Sequence, residues 1–299
     1  MGRTWKCAGL RWSAGSGPVL RWEGGAGSGL GWGKRVGFGV VEGGGRGCVG
    51  ARGNACAGRR EVSGRSTGGR CEECGRLDRV GSVAADGRAD DPRAYRVYLA
   101  WFGGGLLKVG ITAVERGSDR LLEQGALCFT WLGSGPLMAA RRSEEVLRVA
   151  LGVGDRVPYG VKRAVRATAA RSVDAGVDEL GVLHRRAHAL AGWPETLVPE
   201  PFRPVDHLAA FGLDAAPPAT GEITELVPGA GIAGELVAAA GPDLHLDTSA
   251  QGIVVLDTRL MTGWELTPAG EGGGGGGGGG VFPVRPFPKE PEDAQAELF

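Results

Sequence analysis

Short runs of alternating apolar and polar residues dominate both ends of this chain. CAGLRW (7–12), PVLRWE (18–23) and RVGFGVV (35–41) place Trp, Leu and Val between glycine clusters, which predicts strands. GELVAAA (234–240), LHLDT (244–248), GIVVLDT (252–258) and WELT (264–267) repeat the pattern near the other end. Between them, residues 94–152 read as strand, turn, strand and then helix. Residues 158–191 read as helical, with Leu180, Leu183, Ala187 and Leu190 at helical spacing. The proline-punctuated stretch 194–221 reads as a connector.

RVYLAWFGGGLLKVGIT (96–112) is the most ordered pattern. Gly103-Gly104-Gly105 suits a three-residue hairpin loop. That turn sets Tyr98 opposite Gly110 and Ala100 opposite Lys108. One face becomes wholly apolar (Val97, Leu99, Trp101, Leu107, Val109, Ile111). The other carries Tyr98 and Lys108 beside a glycine that leaves room for a ligand.

Glycine makes up 57 of 299 residues, about three times the usual share, and without the period of collagen. Gly272 to Gly280 is unbroken and reads as a flexible tether. With the proline-rich acidic end behind it, residues 270–299 are expected to be disordered. No apolar run approaches a membrane span, and the N-terminus lacks a signal-peptide core. The expectation is a cytoplasmic protein with no membrane contact. The formal charge is zero, but residues 1–80 hold 14 basic and 6 acidic groups, while residues 200–299 hold 4 and 15. A basic front half suits a polyanion; mutual attraction of the two ends explains it equally well.

Cys48, Cys56, Cys71 and Cys74 fall in a C-x7-C-x14-C-x2-C pattern. The C-x2-C pair puts two thiolates on one turn, as tetrahedral zinc requires. Apolar residues are sparse there, so a structural zinc would supply the missing stability. Cys7 and Cys128 read as ordinary apolar positions. His184 and His188, four apart, read as part of a solvated helix face; Val161 and Val165 read as a stripe leaving the basic run Arg156, Lys162, Arg163, Arg166 and Arg171 outside, where it could follow a phosphate backbone. Trp5, Trp12, Trp22 and Trp32 read as β packing rather than base-stacking residues.

The hairpin resembles the GIY-YIG nuclease superfamily. VYLA supplies its first tyrosine, Tyr98; KVGIT supplies Lys108-Val109-Gly110, with Lys108 for the second tyrosine; Arg120-Leu121 matches its arginine; Glu144 or Glu145 stands where its metal-binding glutamate lies. Gln124 occupies the usual histidine position. The resemblance implies catalytic roles for Tyr98, Lys108, Arg120, Glu144 and Glu145, with Mg²⁺ or Mn²⁺ on a glutamate, Arg120 clamping phosphate and Tyr98 orienting or deprotonating water. Lys108 takes over as base only if burial lowers its pKa. CVGARGNAC, CEEC, YRVYLAWFG, LKVGIT, RLLEQGA, GELVAAAGPDLHL and VVLDTRLMTGW are also similar to a bacterial domain of unknown function, number 2797, across most of residues 5–267.

The expected fold is α+β: an N-terminal β segment (1–45), a four-cysteine zinc module (46–93), a small GIY-YIG-like hairpin-and-helices domain (94–193), the connector (194–221) and a C-terminal β segment (222–269). The leading expectation is a metal-dependent nuclease-like protein acting on DNA or RNA. A non-catalytic zinc-stabilised nucleic-acid-binding module and a protein-interaction scaffold stay open. Gln295, Leu298 and Phe299 resemble the Q-x-x-L-F peptide that docks on the replicative sliding clamp.

Overall fold

The computed structural model describes residues 4–80, 91–168, 172–269 and 280–288. Along the chain the strands are β1 (Trp5–Ser13), β2 (Gly17–Trp22), β3 (Gly27–Gly29), β4 (Arg35–Val40), β5 (Ala94–Trp101), β6 (Leu107–Ala113), β7 (Cys128–Pro136), β8 (Val198–Pro199), β9 (Val205–Asp206), β10 (Gly221–Ile223), β11 (Gly231–Ala240), β12 (Asp243–Thr248), β13 (Gly252–Asp257), β14 (Glu265–Thr267) and β15 (Val284–Pro286). The helices are α1 (Glu72–Val80), α2 (Asp119–Gln124), α3 (Leu137–Leu151), α4 (Tyr159–Thr168), α5 (Asp174–His188), α6 (Leu208–Phe211) and α7 (Thr258–Met261). The chain is mixed α+β, and no described helix is long and apolar enough to cross a membrane. It divides into two compact units, Met1–Arg88 with Ala219–Pro286, and Ala89–Pro218 with Phe287–Phe299.

In the first unit the two ends of the chain share one sheet, in the order β15-β10-β13-β12-β11-β4-β14-β1-β2-β3. The join is made where Trp5 pairs with Leu266 and Leu266 with Val40. Strands β12 and β13 are buried at nearly every position, as central strands covered on both faces must be. Trp12 is buried, and its indole N–H donates to the Gly241 carbonyl at 2.7 Å, so it is a packing residue. The tail departs from expectation. Residues 284–286 are not disordered but form β15, paired antiparallel to β10, and Phe282 is buried behind it. Burial of that aromatic ring, with backbone pairing, offsets the entropy that composition alone suggested would prevail. Most of the glycine run (272–279) and the clamp-like residues Gln295, Leu298 and Phe299 lie outside the described residues.

In the second unit the sheet order is β6-β5-β7-β8, with β9 also on β7. The hairpin has the register its glycine turn implies. Tyr98 faces Gly110, Ala100 faces Lys108, and Phe102 N–H bonds the Leu106 carbonyl. Gly103, Gly104 and Gly105 all have positive φ, which only glycine adopts freely. Strand β7 on the far side of β5 makes β5 central, so both its faces are buried. Trp101 on one face packs so closely on Gly176 of α5 that a Cβ there would lie 2.5 Å from the indole. Tyr98, Ala100 and Phe102 on the other pack with Leu121, Ala126 and Phe129.

The expected solvated cations are inverted. On α4, Lys162 is 2% exposed and Arg163 and Arg166 are 8% exposed, whereas Val161 is 44% exposed. Lys162 Nζ sits 3.7 Å from the Phe102 ring centre and 4.5 Å from that of Tyr159, and donates to the Gln124 carbonyl; Arg166 donates to that of Gly125. These cations close the C-terminus of α2, where helix carbonyls and aromatic faces favour positive charge. They do not line an exposed phosphate track. His184 is likewise buried, bonding the Glu200 carbonyl, while His188 bonds that of Leu132.

Candidate functional site

Two clusters of reactive side chains stand out, one in each unit. In the first unit the four cysteine sulfurs of Cys48, Cys56, Cys71 and Cys74 lie within 4.8 Å of one another. Cys71 directly precedes α1 and Cys74 lies in its first turn. Cys48 Sγ accepts from the backbone N–H groups of Gly50 and Cys71 at 3.4 and 3.2 Å. Around a tetrahedral zinc at about 2.3 Å, four sulfurs would stand about 3.8 Å apart. The cluster is thus a set of four convergent ligands able to hold a metal ion. The N–H of Arg60 pulls the Cys56 thiol down to about 7, whereas burial pushes Cys74 up to about 12. Among the described residues no other group of three or more such ligands occurs. Cys7 and Cys128 are fully buried elsewhere, and burial raises them to about 11 and about 12, so both are inert.

The loops that carry these cysteines are held by a residue the sequence reading passed over. Arg46 is 2% exposed and donates to the carbonyls of Thr262, Ser63, Ser66 and Arg259. One guanidinium thereby fastens the loop at 63–66 to α7 and the turn after it. A carbonyl-only coordination of this kind is invisible in sequence, because its partners lie up to 216 positions away.

In the second unit the hairpin face carries a continuous polar chain. Lys108 Nζ donates to Gln124 Oε1 at 2.7 Å, and Gln124 Nε2 donates to the Tyr98 hydroxyl at 2.8 Å. The ammonium can only donate, so it sets which end of the amide meets it. The Tyr98 ring lies over Gly110, where a Cβ would come within 2.4 Å of its hydroxyl. Gly110 therefore makes room for Tyr98 itself, not for a ligand as the strand pattern suggested.

Electrostatics bind further residues to this chain. Burial lowers Lys108 to about 8; Arg120 pushes the same way, and Glu144 and Asp155 oppose it. Burial raises Glu144, with Lys108 pulling it back. Burial also raises Tyr98, against Gln124, Arg120 and Arg116. Tyr98, Lys108, Arg120 and Glu144 are thus brought into one electrostatic cluster. Glu145 touches this cluster only through its repulsion of Glu144. It points to solvent and pairs with Arg148 at 2.6 Å, which holds its carboxyl below the usual value. Gln124 and Asp155 complete the cluster. Gln124 ends α2 as its one buried polar residue, immediately before the Gly125 cap.

Comparison with curated proteins and with solved structures gives no match. A family model, described as protein of unknown function (DUF2797), matches residues 50–266, which take in three of the four clustered cysteines and the whole hairpin cluster. The match spans well over half of the chain, and the protein therefore belongs to the DUF2797 family.

Proposed function

We propose that this chain is a nucleic-acid-acting protein with a GIY-YIG-like phosphodiesterase site on the β5–β6 hairpin and a structural zinc on Cys48, Cys56, Cys71 and Cys74. The observation that carries the reading is the Lys108–Gln124–Tyr98 hydrogen-bond chain with Glu144 and Arg120 in electrostatic reach. The topology supports it too: a hairpin, the short helix α2 bearing Arg120, a third antiparallel strand and then α3 bearing Glu144.

The chemistry follows from the charges. With its pKa near 8, Lys108 is partly unprotonated near neutral pH, so its amine can accept a proton from an attacking water. Water oxygen bonds to phosphorus as the P–O bond to the leaving oxygen breaks, and the proton passes to Lys108 Nζ. Gln124 donates to the Tyr98 oxygen, which leaves the Tyr98 hydroxyl hydrogen uncommitted; the enclosing residues must part before it can meet a phosphate oxygen or the water. Arg120 offers a permanently charged, two-pronged partner to phosphate oxygens. Glu144 is a hard oxygen donor of the kind Mg²⁺ takes, and one carboxylate completed by water and substrate oxygens is a common way to hold that ion. Bound there, a divalent cation would neutralise charge on the scissile phosphate. A thiolate-only site has no open position, so the zinc is structural.

A labelled panel of duplex, branched and single-stranded DNA and RNA tests this reading with Mg²⁺ or Mn²⁺ present. The wild type is expected to cut and the Tyr98→Phe/Arg120→Ala variant to be silent. Equal cutting by both overturns it. Binding without cutting favours a non-catalytic module, a reading for which the full enclosure of Tyr98 speaks.

A further inference from the structure

The described backbone has only two non-glycine residues with positive φ, and both are arginines on the cysteine loops: Arg52 at 51° and Arg59 at 43°. Arg52 and Gly53 are the two central residues of a tight turn closed by the Ala51–Asn54 bridge, and both have positive φ. Asn-Gly or Gly-Gly fills such a turn without strain. Arg59 closes the turn after Cys56, where its N–H bonds the Cys56 carbonyl at 3.0 Å. Glycine would serve both places, and this chain uses glycine at every other described position with positive φ. Strain kept where a cheaper residue fits points to a task for the side chain.

The side chains are also left over. Arg52, Arg59 and Arg60 are exposed. Arg46 is held by its carbonyls, Arg65 by the Glu225 carboxylate, and Arg70 by the Gly50 carbonyl and Asp78, while Arg76 and Arg79 on α1 are exposed as well. Among the described residues no acid pairs with the side chains of Arg52, Arg59 or Arg60. Arg52 and Arg59 sit on the two turns that flank Cys56, and Arg60 follows the second of them.

We propose that Arg52, Arg59 and Arg60 form a contact surface for the phosphate backbone of a nucleic acid, separate from the hairpin cluster. Guanidinium forks match phosphate oxygens, and exposed unpaired cations release counterions on binding. The inference rests on the nucleic-acid part of the proposed function but not on cleavage.

The test is fluorescence anisotropy of labelled 20-mer duplex DNA, single-stranded DNA and duplex RNA with the full chain. It runs from 50 to 200 mM salt with Ca²⁺ in place of Mg²⁺, beside metal content and thermal melting. Arg52→Gly/Arg59→Gly is expected to bind roughly tenfold more weakly at 100 mM salt, and its log–log salt slope for duplex DNA to fall by about 1.8. Its zinc content should be unchanged and its melting point equal or higher. Arg52→Lys/Arg59→Lys, which keeps charge and strain, should keep most of the binding. Unchanged affinity and slope in the glycine variant overturn the proposal. So does weaker binding accompanied by lost zinc or a lower melting point, since the arginines would then serve the thiolate cluster. Absence of binding by the wild type overturns it as well. Failure of cleavage in the panel above, with this salt slope intact, would remove the nuclease reading and leave the contact surface standing.

Discussion

The two clusters place ionisable groups in confined surroundings and resolve the resulting cost in opposite ways. Around Cys48, Cys56, Cys71 and Cys74, four ligands of one kind converge, and their mutual repulsion as thiolates calls for a cation. Around Tyr98, unlike groups are threaded by hydrogen bonds, donor to acceptor, through one amide. The first arrangement is closed and suits a structural role. The second leaves Lys108 with a pKa near 8 and a tyrosine hydroxyl hydrogen uncommitted, which suits proton transfer. Similar confinement therefore does not imply similar function; whether valences are closed decides it.

Breaking the closed cluster should have the largest effect. Structural zinc sites contribute on the order of 10 kcal/mol in isolated fingers. Cys71→Ser/Cys74→Ser, or a strong chelator, is expected to lower the melting temperature by more than about 10 °C. Calorimetry with metal analysis checks this, and an unchanged melt would show that the cluster does not hold a stabilising ion. Breaking the open cluster should cost less stability and tests the proposed phosphodiesterase site. Gln124→Leu strips the Lys108 ammonium of its acceptor and Tyr98 of its donor, so it is expected to cost about 1–3 kcal/mol of stability and, where the proposed site cuts, to lower kcat at least about a hundredfold.

Arg46→Met strips four carbonyls of their donor and should cost about 2–4 kcal/mol in urea unfolding, as removal of a buried, hydrogen-bonded charge does. An effect confined below about 0.5 kcal/mol would show that water replaces the guanidinium.

Lys108 sharpens the contrast through pH. Its folded value of about 8 lies below that of an unfolded lysine, about 10.4. The unfolded chain then binds more protons between these values, so this residue makes stability rise with pH across that window. Below about pH 8 the burial cost is fully present. Lys108→Met is expected to stabilise the protein by about 1 kcal/mol at pH 7, with the gain fading by about pH 10.5. Under the proposed phosphodiesterase reading, kcat/KM rises with pH to a plateau past about 8, a limb absent from the variant.

The smallest structural effect concerns the chain end. The resemblance of Gln295, Leu298 and Phe299 to a clamp-docking peptide is tested on beads coated with a bacterial sliding clamp: retention of the wild type and its loss in Leu298→Ala/Phe299→Ala would support it. Equal retention would sink that docking role.

Much of this was legible in the sequence, because it rests on local rules. Alternation and a three-glycine turn determined the hairpin, its register and the opposition of Tyr98 to Gly110. Cysteine spacing determined which four thiols gather. What only the tertiary structure decided is which polar groups lose water. Helical periodicity on α4 pointed Val161 inward, yet Phe102, Tyr159 and the α2 carbonyls made a better site for Lys162 than solvent. Composition suggested disorder after the glycine run, yet pairing with β10 and the burial of Phe282 ordered residues 284–286. The amide between Lys108 and Tyr98 comes from 16 and 26 positions away, and the carbonyls around Arg46 from as many as 216. Such desolvation and long-range pairing depend on what the rest of the chain places alongside, and no local pattern carries that information.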